Sequence, residues 1–293
     1  MGNTIRIVEV PFALGSHRRG ADVGPKAVIH AGLKEKLQEK GYKIERKTIF
    51  LPEKDEELTN KRLKNLSSVV EMAEVVGKEI DKVIQFSQFP LIIGGDHSIS
   101  LGTIAGIGQN YENLGVIWVD AHGDVNTHET TPSGNIHGMP LAANMGFGHE
   151  ELINILNYFP KIKPQNVIIL GARDLDEGEV ELLKKHHITY YTHCDIEHHG
   201  IKKIMKAIHS KFTSNGVESL HLSFDMDVLD PNVAKGVGTP VEGGITYREA
   251  AYILQEIKKW KTLVSCEIVE VNPLLDEQNK TAEIAVKLIR ELF

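Results

Sequence analysis

Four short apolar runs in this chain each lead into acidic or imidazole side chains. Phe89–Ile93 runs to Asp96 and His97, Leu114–Val119 to Asp120, Ser219–Phe224 to Asp225, and Leu263–Val269 to Glu270. Short runs dominated by Val, Ile, Leu and Phe read as strands buried on both faces. Polar groups set just past their ends converge only if the four strands lie parallel and close together. Open parallel sheets bind ligands beyond the carboxyl ends of their strands. The pattern therefore predicts a parallel sheet in which these four strands are near neighbours.

The rest of the chain supplies the remaining parts. Ile5–Val10, Tyr42–Phe50, Asn166–Leu170 and Ile188–Tyr191 read as further strands. Helical spacing marks Gly24–Lys40, Asn60–Ser87, Ile99–Gly108, Glu177–His187, Ile201–Phe212, Tyr247–Trp260 and Lys280–Leu292. About eight strands alternating with helices predict an α/β fold, three layers deep (α/β/α) around a parallel sheet. No Gly/Ser-rich linker or internal repeat interrupts the 293 residues, so one domain over residues 1–293 is expected. Leu51–Thr59 and Asn126–Ile136 read as the long loops. The second is polar and follows the Asp120–Asp124 motif, which marks it as a candidate substrate loop.

The chemistry lies at the strand ends. Asp225 and Asp227 stand two residues apart and share a face of an extended chain, and Asp120, His122 and Asp124 do the same. With His97 they offer two imidazoles and four carboxylates. A lone Asp-x-Asp is often a turn, and a lone His is often a core residue. Three such motifs at three strand ends are different, because carboxylates buried together repel one another severely without cations. The set suits two divalent ions sharing bridging carboxylates, and its oxygen-rich character leans toward manganese over zinc. Two such ions can turn water into hydroxide near neutral pH, so the residues read as a binuclear metallohydrolase.

Bulk properties narrow the setting. The net charge of -7 argues against a nucleic-acid surface and tolerates a cationic substrate. Cys194 and Cys266 form no spaced pair and are expected to be reduced thiols. The first residues lack a basic stretch followed by an apolar run, and no window reaches the roughly 18 apolar residues of a membrane span. No membrane association and a cytoplasmic location are expected.

The motifs Gly94-Gly95-Asp96-His97-Ser98, Asp120-Ala121-His122-Gly123-Asp124 and Ser223-Phe224-Asp225-Met226-Asp227-Val228-Leu229-Asp230-Pro231 resemble those of the ureohydrolase family, and of its bacterial-type arginases most closely. Arg19 to Pro25, Gly238 to Glu249 and Glu270 to Pro273 extend the likeness over nearly the whole chain. The resemblance implies an arginase-like fold and two Mn2+ per subunit. One ion would be held by His97, Asp120, Asp124 and Asp225, the other by His122, Asp120, Asp225 and Asp227. It implies hydrolysis of L-arginine to L-ornithine and urea by a metal-bridging hydroxide. Asp124 would carry the proton, Glu270 would pair with the guanidinium, and His137 would act as proton shuttle. Asn126, Thr131 and Ser133 would hold the substrate carboxylate. Asp176 and Glu179 would receive its ammonium, and Asn135 and Thr239 would complete the binding set. A homo-oligomer, trimer or hexamer, is implied, with Arg248 and Glu249 near subunit contacts. The chain departs from the family's usual pattern at His128, Glu129, Lys235 and Glu242, none of them an expected ligand.

Other readings stay open at this point. Agmatinase, guanidinobutyrase and formimidoylglutamase share the metal set and differ in the substrate loop. A metallophosphoesterase would need a Gly-Asp motif downstream of Asp120-x-His122, whereas Gly95-Asp96 lies upstream. A non-catalytic relative would lack a ligand, His137 or Glu270, and all are present.

Overall fold

The computed structural model describes residues 4–51 and 60–293. Its strands are β1 (Thr4–Val10), β2 (Lys43–Thr48), β3 (Phe89–Gly94), β4 (Leu114–Val119), β5 (Val167–Ala172), β6 (Thr189–Thr192), β7 (Ser219–Asp225) and β8 (Leu263–Val269). They form one sheet in the order β2-β1-β3-β8-β7-β4-β5-β6, and every pairing is parallel. The chain leaves β3, skips two places to lay down β4, and fills the gap later with β7 and β8. The four strands that end in site residues are thus contiguous, as their apolar runs predict. Val119 pairs with Phe224 and Asp225 with Val269, which brings Asp120, Asp225 and Glu270 to one edge of the sheet.

The helices cover both faces. They are α1 (Gly24–His30), α2 (Leu33–Glu39), α3 (Leu66–Gln85), α4 (Ser100–Gly108), α5 (Pro140–Asn144), α6 (Glu150–Ile153), α7 (Glu177–Lys185), α8 (His193–His199), α9 (Ile201–Ser214), α10 (Tyr247–Trp260) and α11 (Lys280–Leu292). One core joins α1, α2, α9, α10 and α11 to alternate residues of the sheet, including Ile7, Leu91, Ile117 and Leu222. The opposite core joins α3, α4 and α5 to the intervening residues, including Val8, Ile92, Val116 and Trp118. Strands covered on both faces bury every side chain, which is why they lack polar alternation.

Two expected helices differ. Gly24–Lys40 is split at Gly32, whose φ of 91° no helix accommodates. Asn60–Ser87 becomes helical only at Leu66. Asn65 stands in the left-handed region (φ 54°) and its Nδ2 donates to Leu14 O at 2.8 Å, which stops the helix there. Residues 60–65 instead cross the loop that follows Asp124. Of the expected loop Leu51–Thr59, residues 52–59 lie outside the described residues. Among the described residues no helix is long and apolar enough to cross a membrane. Both cysteines are free thiols, Cys194 exposed and Cys266 buried.

The helix pair α3 and α4 depends on glycine. A Cβ at Gly102 or Gly106 would meet the carbonyl oxygen of Ala73 or Gly77 at 2.4 Å. Overpacking of this kind costs about 1–3 kcal/mol. Gly106→Ala is expected to lower the urea midpoint accordingly without changing the unfolding slope, and an unchanged midpoint would show that the helices part freely.

Candidate active site

The centre is assembled from backbone turns that follow each strand. After β3, Asp96 accepts from Ser98 N at 3.0 Å, Ser98 Oγ at 2.5 Å and Ser16 N at 3.1 Å, fixing the turn that carries His97. His97 N donates to Glu270 Oε1 at 2.9 Å. The His97 ring stacks on Trp118, centroids 4.0 Å apart and planes 9° from parallel. Its Nε2 lies 2.7 Å from Ser223 Oγ. Nδ1 is thereby aimed at three carboxylates, 3.0 Å from Asp120 Oδ2, 3.0 Å from Asp124 Oδ2 and 3.2 Å from Asp225 Oδ2.

The second half of the centre shares Asp120. His122 Nδ1 lies 3.3 Å from Asp120 Oδ1 and 3.1 Å from Asp227 Oδ2. Trp118 Nε1 donates to Asp120 Oδ2 at 2.9 Å, Asp227 N to Asp225 Oδ1 at 2.7 Å, and Thr239 Oγ1 to Asp227 Oδ2 at 3.1 Å. Ligand atoms of His97, Asp120 and Asp225 lie within 4.8 Å of one another, as do those of Asp120, His122 and Asp227. All six expected metal ligands therefore meet in one cluster, His122 half-buried and the other five buried. Asp124 enters it from a left-handed backbone (φ 52°), and Glu270 beside it has φ 63°. Such conformations cost on the order of 1 kcal/mol or more and persist where surrounding contacts impose them.

The charges do not settle by themselves. Burial and the neighbouring Asp120 carboxylate push Asp124 up to about 6. Burial and the Asp227 and Asp120 carboxylates push Asp225 well above the usual carboxylate range. Burial also opposes ionisation of Asp120, but contacts from His122 and His97 hold it low. Burial would lower both imidazoles, and the carboxylates instead raise His97 and His122 well above the usual imidazole range. His97 Nδ1 is buried and, despite the three near oxygens, aligned for a hydrogen bond with none. Four carboxylates balance two divalent cations in charge, and this orphaned nitrogen among oxygens is the donor set such ions take.

A cleft of about 610 Å³, open to solvent, rises above the cluster. His97, His122, Asp124 and Asp225 form its floor, and Asn126, Thr131, Ser133, Asn135, His137, Asp174, Asp176, Glu179 and Thr239 its walls. His137 Nδ1 stands 3.4 Å from Glu270 Oε1; burial would lower this imidazole, but the Glu270 carboxylate brings it up to about 8. Asn126 Nδ2 donates to Asp176 Oδ2 at 2.7 Å, and Gly134 N to Thr131 Oγ1 at 2.9 Å. Both oxygens of Glu179 are engaged, by Val125 N and Asp176 N at 3.0 Å each. Of the two carboxylates, Asp176, held by Asn126, is the freer. Among the departures, His128 packs edge-on against His149, Lys235 pairs with Glu277, and the Glu242 carbonyl accepts from Arg173.

Sequence reasoning passed over the groups that hold this floor. Arg173 donates to the carbonyls of Asp227, Val228, Leu229, Val241 and Glu242, tying the turn after β7 to the segment that carries Thr239. Beneath the cluster, Glu267 Oε1 accepts from Ser100 Oγ at 2.5 Å and lies 3.2 Å from His221 Nε2, both residues fully buried. Burial alone would raise Glu267, but the His221 contact brings it down to about 2. The period-two spacing of His221, Ser223 and Asp225 along an apolar strand was the available signal.

Known proteins place this geometry. The Arginase family model matches residues 3–293. The curated arginase of Bacillus subtilis (strain 168) is 47% identical over 293 residues, covering 100% of this chain and 98% of its own. The solved arginase of Bacillus caldovelox superposes with a TM-score of 0.95 at 48% identity, over 99% of this chain and 98% of its own. The solved arginase of Entamoeba histolytica, in complex with L-ornithine, gives a TM-score of 0.92 at 37% identity, covering 99% and 98%. The chain belongs to the arginase family.

Two outcomes are expected of the centre. Asp227→Ala should retain about one divalent ion per chain after dialysis where the parent retains two, by elemental analysis; two ions in the variant would sink the shared-carboxylate arrangement. For Glu267 the folded carboxyl is depressed, so its contribution is present above the unfolded value near 4.5 and lost as pH falls toward about 2. The stability gap between the parent and Glu267→Gln should therefore shrink across that window in acid titrations followed by circular dichroism.

Proposed function

We infer that this chain is an arginase, and propose that it hydrolyses L-arginine to L-ornithine and urea with two Mn2+ per subunit. The carrying observation is the buried cluster of two imidazoles and four carboxylates beneath a cleft with polar walls. Relatives named arginase at 47% and 48% identity over nearly the whole chain support it. His97, Asp120, Asp124 and Asp225 would hold one ion, and His122, Asp120, Asp225 and Asp227 the other. When bound, the ions supply a water acidified to near neutrality. Manganese is favoured by the oxygen-rich donor set.

The chain's own residues do the rest. Glu270, beside His97 and His137, pairs with the planar guanidinium and holds its carbon over the floor, a positioning role. Asp124 takes the proton of the attacking water and passes it to the departing amine. His137 opens toward the cleft and exchanges that proton with solvent. Asn126, Thr131, Ser133 and Asn135 offer neutral polar groups to the α-carboxylate. Asp176 receives the α-ammonium, while Glu179 fixes the backbone at Val125 and Asp176 and so sets the spacing of that wall. Thr239 steadies Asp227 through its hydroxyl. Polar groups matched to both ends of an α-amino acid disfavour agmatine, which would leave the carboxylate side unpaired.

The reading carries further expectations: one domain over residues 1–293, a cytoplasmic setting, and a homo-oligomer, trimer or hexamer. Glu249 caps α10 through Thr246, so Arg248 is the freer of the two residues for a subunit contact.

Urea release from L-arginine and agmatine, measured in parallel on manganese-loaded protein, tests the substrate. Release from arginine should dominate, and agmatine as the better substrate would move the assignment to agmatinase. Combining Ser133→Ala with Asp176→Ala should raise the arginine KM by about tenfold or more while touching agmatine far less. Equal losses on the two substrates would remove these residues from α-group recognition.

A further inference from the structure

The segment that fails to join α3 lies directly over the substrate loop. Lys64 N donates to Gly134 O at 3.0 Å. Arg62 Nη1 donates to the carbonyls of His128 and Glu129, at 3.3 and 2.6 Å. A Cβ on Gly134 would stand 1.9 Å from Lys61 O, so the two segments are in backbone contact. Within this strap the part-buried Lys64 extends its Nζ to Asn135 Oδ1 at 3.2 Å. Asn135 lines the cleft beside Ser133. Across the cleft stand the carboxylates Asp174, Asp176 and Glu179. The rim is therefore electrically divided, with a fixed ammonium behind one wall and carboxylates along the other. A zwitterionic α-amino acid head matches that division when its carboxylate faces Asn135 and its ammonium faces Asp176.

We propose that Lys64 determines specificity: its ammonium, held against the Asn135 amide, favours guanidino substrates that carry an α-carboxylate and disfavours their decarboxylated amines. The inference rests on the arginine reading of the cleft. It adds a fixed charge behind the neutral amide and hydroxyl groups, Asn126, Thr131, Ser133 and Asn135, that face the α-carboxylate. A unit charge one residue removed from the ligand acts through space and is screened by salt, whereas a hydrogen bond that merely orients Asn135 is not.

The test uses the full-length, manganese-loaded enzyme and steady-state kinetics on L-arginine and agmatine. Lys64→Gln and Lys64→Met should raise the arginine KM about five- to tenfold, with the smaller effect on kcat. They should also raise the agmatine-to-arginine ratio of kcat/KM by about tenfold. Lys64→Arg keeps the charge and should stay near the parent ratio. Raising salt to about 0.5 M should increase the arginine KM of the parent and of Lys64→Arg, and leave Lys64→Gln nearly flat. Arg62→Gln removes a charge from the same strap and should leave the ratio where it is. Thermal melts and manganese content identify any variant that misfolds. If Lys64→Gln is among them, calorimetric binding of L-ornithine against putrescine to the parent at low and at about 0.5 M salt decides instead, with a preference for ornithine that narrows at high salt supporting the role and a preference that salt leaves unchanged overturning it. A Lys64→Gln enzyme with the parent's ratio and salt response overturns the proposal. So does a Lys64→Arg enzyme as impaired as Lys64→Gln, which would make Lys64 only a prop for Asn135. A parent that prefers agmatine overturns the arginine reading itself, and is distinguished because it appears before any substitution.

Discussion

Mutual repulsion among buried carboxylates governs this molecule. Asp120, Asp124, Asp225 and Asp227 meet at the carboxyl edge of the sheet with almost no access to water. Nothing in the hydrophobic layers offsets that cost locally, and it is met by imidazole contacts, by protons or by cations. Much of the surrounding architecture serves to hold the acids together in spite of it. The strand order brings four strands to one point, Trp118 donates to Asp120, Thr239 donates to Asp227, and backbone N–H groups at Ala121, His122 and Asp227 satisfy further oxygens.

A large part of the fold was readable in the residues. The apolar runs before Asp96, Asp120, Asp225 and Glu270 predict adjacent parallel strands, and β3, β8, β7 and β4 are adjacent. Strands buried on both faces announce themselves as unbroken apolar segments, so their ends were found within a residue or two. Helix limits were less legible where one local contact decides them. The left-handed Asn65, bonded to Leu14, delays the start of α3 to Leu66, and the left-handed Gly32 divides α1 from α2. Residues far away in sequence set both outcomes or leave little trace in hydrophobic period. The short helices α5, α6 and α8 went unforeseen for the same reason, since a turn or two carries too little pattern to read.

At the site, the motifs brought the six acid and imidazole residues to notice, while the supporting groups stayed hidden. Arg173 looks like any surface cation in sequence, yet its guanidinium gathers five carbonyls. Glu267 and His221 look like interruptions of apolar strands, yet they pair beneath the floor. Glu179 lines the cleft, and one of the two backbone donors that hold its oxygens is Val125, 54 residues away. Such roles depend on partners dozens of residues away, so spacing along the chain cannot disclose them.

The position of β8 has a consequence for how the protein comes into being. It is the last strand in the chain and lies near the middle of the sheet, between β3 and β7. Until residues 263–269 are inserted, β3 and β7 lack their common neighbour, and His97, which follows β3, has no fixed separation from the acids that β4 and β7 bring together by pairing directly. The half of the centre built on Asp120, His122 and Asp227 rests on the direct pairing of β4 with β7, whereas the half that includes His97 waits for β8. A chain lacking β8 would hold every expected ligand of the cluster and still leave His97 unplaced against Asp120 and Asp225, so the one of the four strands that carries no ligand of its own completes the arrangement.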